Sequence, residues 1–279
     1  MKKILMCFPE EFGVNYEINP WMNSNIGKVN YKLAIEQWGK LYNHLLNLGV
    51  DVIVIKNQPE NLPDLVFTAN AALTINNHAL IANFECNERK PESKIYSDFI
   101  KRLGLSVDNF FIKNKISFEG AGDALYEKHN DTLVLAYGFR TNKNAYSYVK
   151  QFLKKVSHTT KLIQAELINP SFYHLDTCFC PLDNGYVLYN PEAFSTQTIE
   201  NFKEAFPGKL ITVKNEDAKL FGCNAISVGD NLILNSISEE LEEKLNTLDI
   251  NVIQTPLDQF MLSGGSAKCL TLELSLQSK

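Results

Sequence analysis

The sequence predicts an α/β fold assembled from repeated units of one helix and two or three short strands. Three observations carry that prediction. Amphipathic helical patterns recur along the 279 residues at spacings of very roughly 40 to 60 residues. Short β-branched and aromatic runs follow each of them. Hydrophobic residues make up 45 % of the chain, enough for a substantial core, and no low-complexity linker interrupts it, so one domain over residues 1–279 is expected.

Taken in order, the first strand is expected over 3–8. Its apolar run stops at Pro9-Glu10-Glu11, so a buried strand is a better reading than a signal peptide. Residues 10–28 are polar and turn-rich, a long connector of the kind that often carries function. A helix is expected over 30–47, with Leu33, Trp38, Leu41, Leu45 and Leu46 near helical spacing and Gly49 as its stop. A strand follows over 50–56. Extended runs come next at 65–75 and 78–84, joined by Asn76-Asn77 as a tight hairpin.

The same order then returns. A helix over 93–103 precedes extended runs at 110–112, 124–127 and 132–137. A helix over 144–156 precedes 161–167, 176–181 and 186–189. The helix 196–206 leads to 210–213, 225–228 and 231–234, and the helix 239–248 leads to 252–255 and the run that holds Cys269. The first strand completes this last unit from the other end of the chain. Pattern alone leaves two arrangements open, a propeller of such units and an ordinary α/β sheet with hairpins.

A net charge of -5 argues against a general nucleic-acid binder. No apolar run approaches the roughly 18 residues that would span a membrane. Cys7, Cys86, Cys178, Cys180, Cys223 and Cys269 are scattered in mostly apolar surroundings, which fits reduced thiols in a cytoplasmic protein. The Cys178-x-Cys180 pair has no neighbouring Cys or His pair to complete a tetrahedral metal set, so packing is its reading.

Two stretches carry the parts of a nucleophilic enzyme. In Gly264-Gly265-Ser266-Ala267-Lys268-Cys269, a glycine turn delivers a thiol to the start of an apolar, strand-like run. In Tyr173-His174-Leu175-Asp176-Thr177, an extended backbone would point His174 and Asp176 the same way. Three further segments stand out: 63–70 with Asp64 and Asn70, 118–125 with Glu119 and Asp123 around a small-residue turn, and 138–141 with Arg140, for which Arg89 is a companion. Each has a plainer reading on its own. Asp64 after a proline shapes a turn, Asp123 holds its own glycine loop, and the arginines are surface cations.

Together these segments resemble the pentein superfamily of guanidine-modifying enzymes, which includes arginine deiminases, dimethylarginine hydrolases, arginine dihydrolases and amidinotransferases. The resemblance covers most of the chain and rests on Ile18-Asn19-Pro20-Trp21-Met22, 64–70, 119–123, His174-Leu175-Asp176-Thr177 and 264–269, in that order. It implies a five-bladed, pseudo-symmetric α/β propeller of ββαβ-type modules. It further implies Cys269 as nucleophile, His174 as general acid and base with Glu119 orienting it, and Asp176 on the guanidinium. Arg89 and Arg140 match positions that clamp a substrate α-carboxylate, and Asp64 matches a substrate-contacting acid. The substrate implied is a small guanidino amino acid, arginine or a methylated arginine. No metal or organic cofactor is expected, and a homo-oligomer is compatible with the sequence.

Asn70 is the informative departure, because deiminases and dimethylarginine hydrolases carry an aspartate there. An amide cannot supply that charge, but its NH2 can donate to a neutral carbonyl. Phe67-Thr68-Ala69-Asn70, together with Ile18-Asn19-Pro20-Trp21-Met22, most resembles the arginine dihydrolases, which take arginine to ornithine, two ammonia and carbon dioxide, and Asn19 and Asn70 are expected to govern the second hydrolysis. The alternatives are a dimethylarginine dimethylaminohydrolase giving citrulline and an alkylamine, and a catalytically idle pentein that binds a partner. An amidinotransferase lacks a visible amine acceptor site, and a cysteine peptidase would want an open cleft rather than clustered acids and arginines.

Overall fold

The computed structural model describes residues 1–56, 59–156 and 158–276. Strand β1 (Lys3–Cys7) runs through the long connector into helix α1 (Tyr31–Asn47) and back to β2 (Asp51–Ile55), which lies parallel to β1. Asn30 caps α1 by accepting from Leu33 N at 3.2 Å. Helical spacing puts Ala34, Trp38, Leu41 and Leu45 into the core, while Leu46 falls on the exposed side.

The next unit opens with two 3-10 turns, Pro63–Val66 and Thr68–Ala71, then the hairpin β3 (Ala72–Ile75) and β4 (His78–Ile81), helix α2 (Glu92–Arg102) and β5 (Ser106–Asp108). Asn76 and Asn77 both adopt positive φ, 46° and 63°, as the expected tight hairpin requires. The third unit holds the short helices α3 (Phe110–Asn114) and α4 (Gly120–Asp123), the hairpin β6 (Ala124–Glu127) and β7 (Thr132–Tyr137), helix α5 (Ala145–Lys155) and β8 (Lys161–Glu166). The fourth has β9 (Phe179–Pro181), β10 (Val187–Tyr189), helix α6 (Thr196–Ala205) and β11 (Leu210–Thr212). The fifth has the short helix α7 (Asn215–Lys219), β12 (Ile226–Val228), β13 (Asn231–Leu234), helix α8 (Glu239–Asn246) and β14 (Asn251–Gln254). A short helix α9 (Asp258–Met261) then leads to β15 (Leu272–Glu273).

Among the described residues the strands form five three-stranded sheets, ordered β3-β4-β5, β6-β7-β8, β9-β10-β11, β12-β13-β14 and β15-β1-β2. Every sheet is an antiparallel pair followed by a helical crossover to a parallel strand, the ββαβ module. The last module is closed by the two chain ends, since β15 pairs antiparallel with β1. The first strand of each module faces a common axis. Leu73, Leu125, Phe179, Ile226 and Leu272, one from each module, line an axial cavity of about 270 Å³. This arrangement is the five-bladed pseudo-symmetric α/β propeller, and the ordinary open sheet is excluded. No helix among the described residues is long and apolar enough to cross a membrane.

Four local expectations are corrected. Residues 65–71 form 3-10 turns rather than a strand, which lets the buried Asp64 and Asn70 reach the axis. Residues 110–112 belong to α3, and the strand lies just before it at β5. Asp108 Oδ1 accepts from Phe110 N at 3.0 Å and turns the chain out of the sheet, so that Phe111 stacks on Phe118 at 4.5 Å. Residues 175–177 form a 3-10 turn, so β9 starts only at Phe179. Cys269 sits in a turn before β15 and not in a strand.

Candidate active site

The segments that immediately precede the first strands of the modules all turn toward one end of the axis. Asn70 precedes β3, Glu119 stands just before α4 and Asp123 ends it ahead of β6, and His174 and Asp176 precede β9. Asn224 precedes β12 and Cys269 precedes β15. Pseudo-symmetry thus lets one local device, a tight turn before an inner strand, place these side chains, while Asn19, Arg89 and Arg140 come from the connector and from the segments after β4 and β7.

A small cavity at this end is lined by seven of the nine expected site residues: Asn19, Asp64, Asn70, Arg89, Arg140, His174 and Cys269. The other two stand behind them in direct contact. Glu119 Oε2 lies 2.7 Å from His174 Nε2, and Asp176 Oδ2 accepts from Cys269 Sγ at 3.3 Å.

Cys269 is held on several sides. Asn224 Nδ2 donates to Sγ at 3.0 Å, and Asn224 Oδ1 accepts from Cys269 N at 3.2 Å. Burial, followed by the adjacent Asp176 carboxylate, pushes the thiol well above its ordinary range, while Asn224 and the Ser266 backbone oppose that rise. Burial likewise raises Asp176 to about 7, against hydrogen bonds from Cys269 and Asn224. Asp176 Oδ1 is buried without a partner among the described residues. An unpaired carboxylate oxygen beside a thiol is a ready acceptor for a guanidinium N–H.

His174 occupies the extended residue before its 3-10 turn, with φ -125° and ψ 152°. The expected same-face argument from a strand therefore fails. His174 and Asp176 reach the site because the turn between them is pinned: Asp123 Oδ1 accepts from Leu175 N at 3.0 Å and Thr177 Oγ1 donates to His174 O at 2.6 Å. Asp123 also accepts from Thr141 Oγ1 at 2.7 Å, so it holds the histidine turn as well as its own loop. Burial would raise Glu119, but Arg140 and His174 outweigh it and hold the carboxyl at about 2. An ionised carboxylate on Nε2 fixes the imidazole and leaves Nδ1 free of protein hydrogen bonds among the described residues.

The arginines differ. Arg140 Nη1 lies 3.4 Å from Glu119 Oε2, Nη2 donates to Ile18 O at 2.7 Å, and the guanidinium sits 4.8 Å from the Tyr173 ring centre. Donors remain on it for a ligand. Arg89 is held along one edge by Glu92, at 2.9 Å from Nε and 2.8 Å from Nη2, and is 3 % exposed. Its Nη1 donates to Asn70 Oδ1 at 2.9 Å. That bond decides the orientation of the amide: the oxygen faces Arg89, and the NH2 is buried with no partner among the described residues. The NH2 lies so close to Gly122 that a Cβ there would overlap it.

Asp64 is satisfied within the protein, accepting from Tyr16 OH at 2.9 Å and Ser263 Oγ at 3.0 Å, and burial raises its pKa. Asn19 Oδ1 accepts from Trp21 N and Met22 N, and its Nδ2 donates to Ser263 O at 3.0 Å. These contacts fasten the long connector over the site, with Tyr173 OH donating to Gly264 O at 2.7 Å. Gly264 has φ +83°, and a Cβ there would meet Tyr173 OH at 2.8 Å. The sequence reading gave no role to Asn224, Ser263, Tyr16 or Glu92. Asn224 leaves a trace, because Asn224-Ala225-Ile226 enters its hairpin as Asn70-Ala71-Ala72 enters its own.

The profile of the eukaryotic N,N dimethylarginine dimethylhydrolase family matches residues 8–276. The chain is 39 % identical over 276 residues to the bifunctional arginine dihydrolase/ornithine cyclodeaminase ArgZ of Synechocystis sp., covering 98 % of this chain and 38 % of that protein. It therefore spans well under half the length of this relative. It is 33 % identical over 273 residues to the N(G),N(G)-dimethylarginine dimethylaminohydrolase of Mycobacterium tuberculosis, covering 98 % of this chain and 86 % of that one. The crystal structure of the N-terminal domain of ArgZ, a cysteine-to-serine mutant bound to substrate, matches with a TM-score of 0.93 at 38 % identity over 98 % of both chains. A profile match and relatives above 30 % identity along almost the whole ring leave one assignment: the chain belongs to the N,N dimethylarginine dimethylhydrolase family, within the pentein superfamily of guanidine-modifying enzymes.

Proposed function

We propose that residues 1–279 form one catalytic unit that hydrolyses the guanidino group of arginine to ornithine through a covalent intermediate on Cys269. Arginine and two waters give ornithine, two ammonia and carbon dioxide. The observation that carries this reading is the amide of Asn70, a residue that lines the cavity: its oxygen is taken by Arg89, and its NH2 is buried beside Gly122 with no partner among the described residues. A donor at that point suits the neutral ureido oxygen that appears after the first ammonia has left; an aspartate there would suit only the guanidinium. The ArgZ relative, named an arginine dihydrolase, supports the same reading.

In this mechanism the guanidinium enters beside Cys269 and Asp176, with an N–H donated to Asp176 Oδ1. Its positive charge offsets the burial and the carboxylate that keep the thiol protonated, so the thiolate forms when substrate is bound. Sulfur attacks the central carbon, His174 protonates the departing amine, and ammonia leaves. Water then adds with His174 as base, while Glu119 stabilises the imidazolium, and the carbon–sulfur bond breaks to return the thiolate and leave a ureido group. In the second hydrolysis sulfur attacks the ureido carbon, the second ammonia leaves with a proton from His174, and water cleaves the carbon–sulfur bond of the resulting thiocarbamate to give a carbamate, which loses carbon dioxide to leave ornithine. Arg140 takes the substrate α-carboxylate. Arg89 serves through Asn70 rather than as a second clamp, Asp64 and Asn19 shape the cavity wall, and Asn19 supports the second hydrolysis by holding the connector in place. The six cysteines are free, which suits the cytoplasm.

The second reading, a dimethylarginine hydrolase giving citrulline and dimethylamine, is favoured by the family profile itself. Incubation of the purified protein with arginine, following ornithine, citrulline and ammonia together, separates the two. Ornithine with two ammonia per arginine is expected. Citrulline with one ammonia would refute the double hydrolysis, and turnover of dimethylarginine alone would replace the reading.

A further inference from the structure

We propose that Asn224 is a catalytic residue of this site, the donor that carries the Cys269 thiolate and fixes where its sulfur points. The residue is fully buried and every polar atom of its side chain is committed. Nδ2 donates to Cys269 Sγ at 3.0 Å and to Asp176 O at 2.9 Å, and Oδ1 accepts from Cys269 N at 3.2 Å. The Cys269 N–H can only donate, so it dictates that Oδ1 faces the backbone and the NH2 faces sulfur. The contacts join three modules: Asn224 stands before β12, Asp176 before β9 and Cys269 before β15. Once the thiol proton has gone, sulfur and the Asp176 carboxylate are like charges 3.3 Å apart. The Asn224 N–H then becomes a charge-assisted hydrogen bond to sulfur, stronger than the neutral one in the resting site. Asn224 is not among the residues that line the small cavity, and its contact with the reacting atoms is the one to sulfur.

The inference rests on Cys269 being the nucleophile of the proposed reaction, and the test reads sulfur both with and without that reaction. Asn224→Asp keeps the shape and the acceptor for Cys269 N but replaces the donor; Asn224→Ala removes both, and serves if the aspartate variant does not fold. With arginine, kcat is expected to fall about 10- to 100-fold, with KM within about twofold of the parent. Without substrate, alkylation of Cys269 by iodoacetamide, located by peptide mass spectrometry, is followed against pH. Its midpoint is expected to rise by about one to two pH units. A lower melting temperature with an unmoved alkylation midpoint would overturn the proposal and leave Asn224 a packing residue. The alkylation profile decides this even if arginine proves not to be the substrate.

Discussion

Asn70→Asp is the perturbation that bears most directly on the proposed chemistry. The two side chains have the same shape, and Arg89 Nη1 already holds Oδ1 at 2.9 Å, so the substitution exchanges only the atom at the Nδ2 position. That atom is buried and has no partner among the described residues. For arginine the new carboxylate oxygen adds an acceptor for a guanidinium N–H, and the first step is retained. For a ureido intermediate it removes a donor and sets an acceptor against the carbonyl oxygen. Losing the hydrogen bond and burying an unmatched acceptor together remove about 2 to 3 kcal/mol. At 1.36 kcal/mol per tenfold, the second hydrolysis slows by about 30- to 150-fold relative to the first. The assay is a time course of citrulline, ornithine and ammonia from arginine, read as a product ratio so that differences in enzyme concentration cancel. Citrulline becomes the main product if the argument holds. A ratio equal to that of the parent would show that the amide does not touch the reacting carbonyl, and the role of Asn70 would fall with it.

Three other changes follow from the same geometry. Gly122→Ala places a methyl group on the space of the Asn70 NH2 without altering any charge, so it too raises the citrulline fraction, read by the same product assay. Glu92→Ala strands the buried Arg89 guanidinium, which has two bonds to that carboxylate, and lowers unfolding free energy by about 3 to 5 kcal/mol in urea titration. Glu119→Gln flattens the acid side of the stability curve. The Glu119 carboxyl is held at about 2 in the fold against an ordinary 4.5, so its stabilisation is present above about pH 4.5 and lost as pH falls towards 2. That amounts to about 3 kcal/mol between the two limits, and equal slopes of urea stability for parent and variant between about pH 5 and pH 3 would refute it.

The parts of the fold written in the sequence are those that depend on periodicity. Helix α1 is legible because Trp38, Leu41 and Leu45 share a face above a capping asparagine, and the Asn76-Asn77 hairpin because asparagine tolerates positive φ. The segments before the inner strands are misread because apolar residues there suggest extended chain, whereas their backbone must turn to aim buried polar side chains at the axis. The site is legible as a set of motifs but not as a set of partners. Arg89 reads as a substrate clamp, and the sequence gives no sign that Glu92, one helical turn away, also holds its guanidinium. Asp64 reads as a ligand contact, and its bonds from Tyr16 and Ser263 come from segments distant in the sequence. Asn224 is missed because nothing local marks it; only its register relative to β12 and the other modules does.

Unpartnered buried polar groups cost a fold about 1 to 3 kcal/mol each. Asp176 Oδ1, Asn70 Nδ2 and Ser266 Oγ all lie in the segments that close on the site. Asp64, Glu92, Glu119 and Asp123, equally buried nearby, each accept two or more hydrogen bonds. The unmet oxygen belongs to the carboxylate whose other oxygen accepts from the Cys269 thiol, and the unmet amide hydrogens are those that Arg89 turns away from itself. Their satisfaction by a guanidinium and then by a ureido carbonyl would convert a deficit of the empty protein into binding that differs between the two steps, which is what a two-stage hydrolysis requires. The ring makes such a deficit tolerable: each group sits on a turn fixed by its own module, so it has no collapsed alternative in which to find another partner.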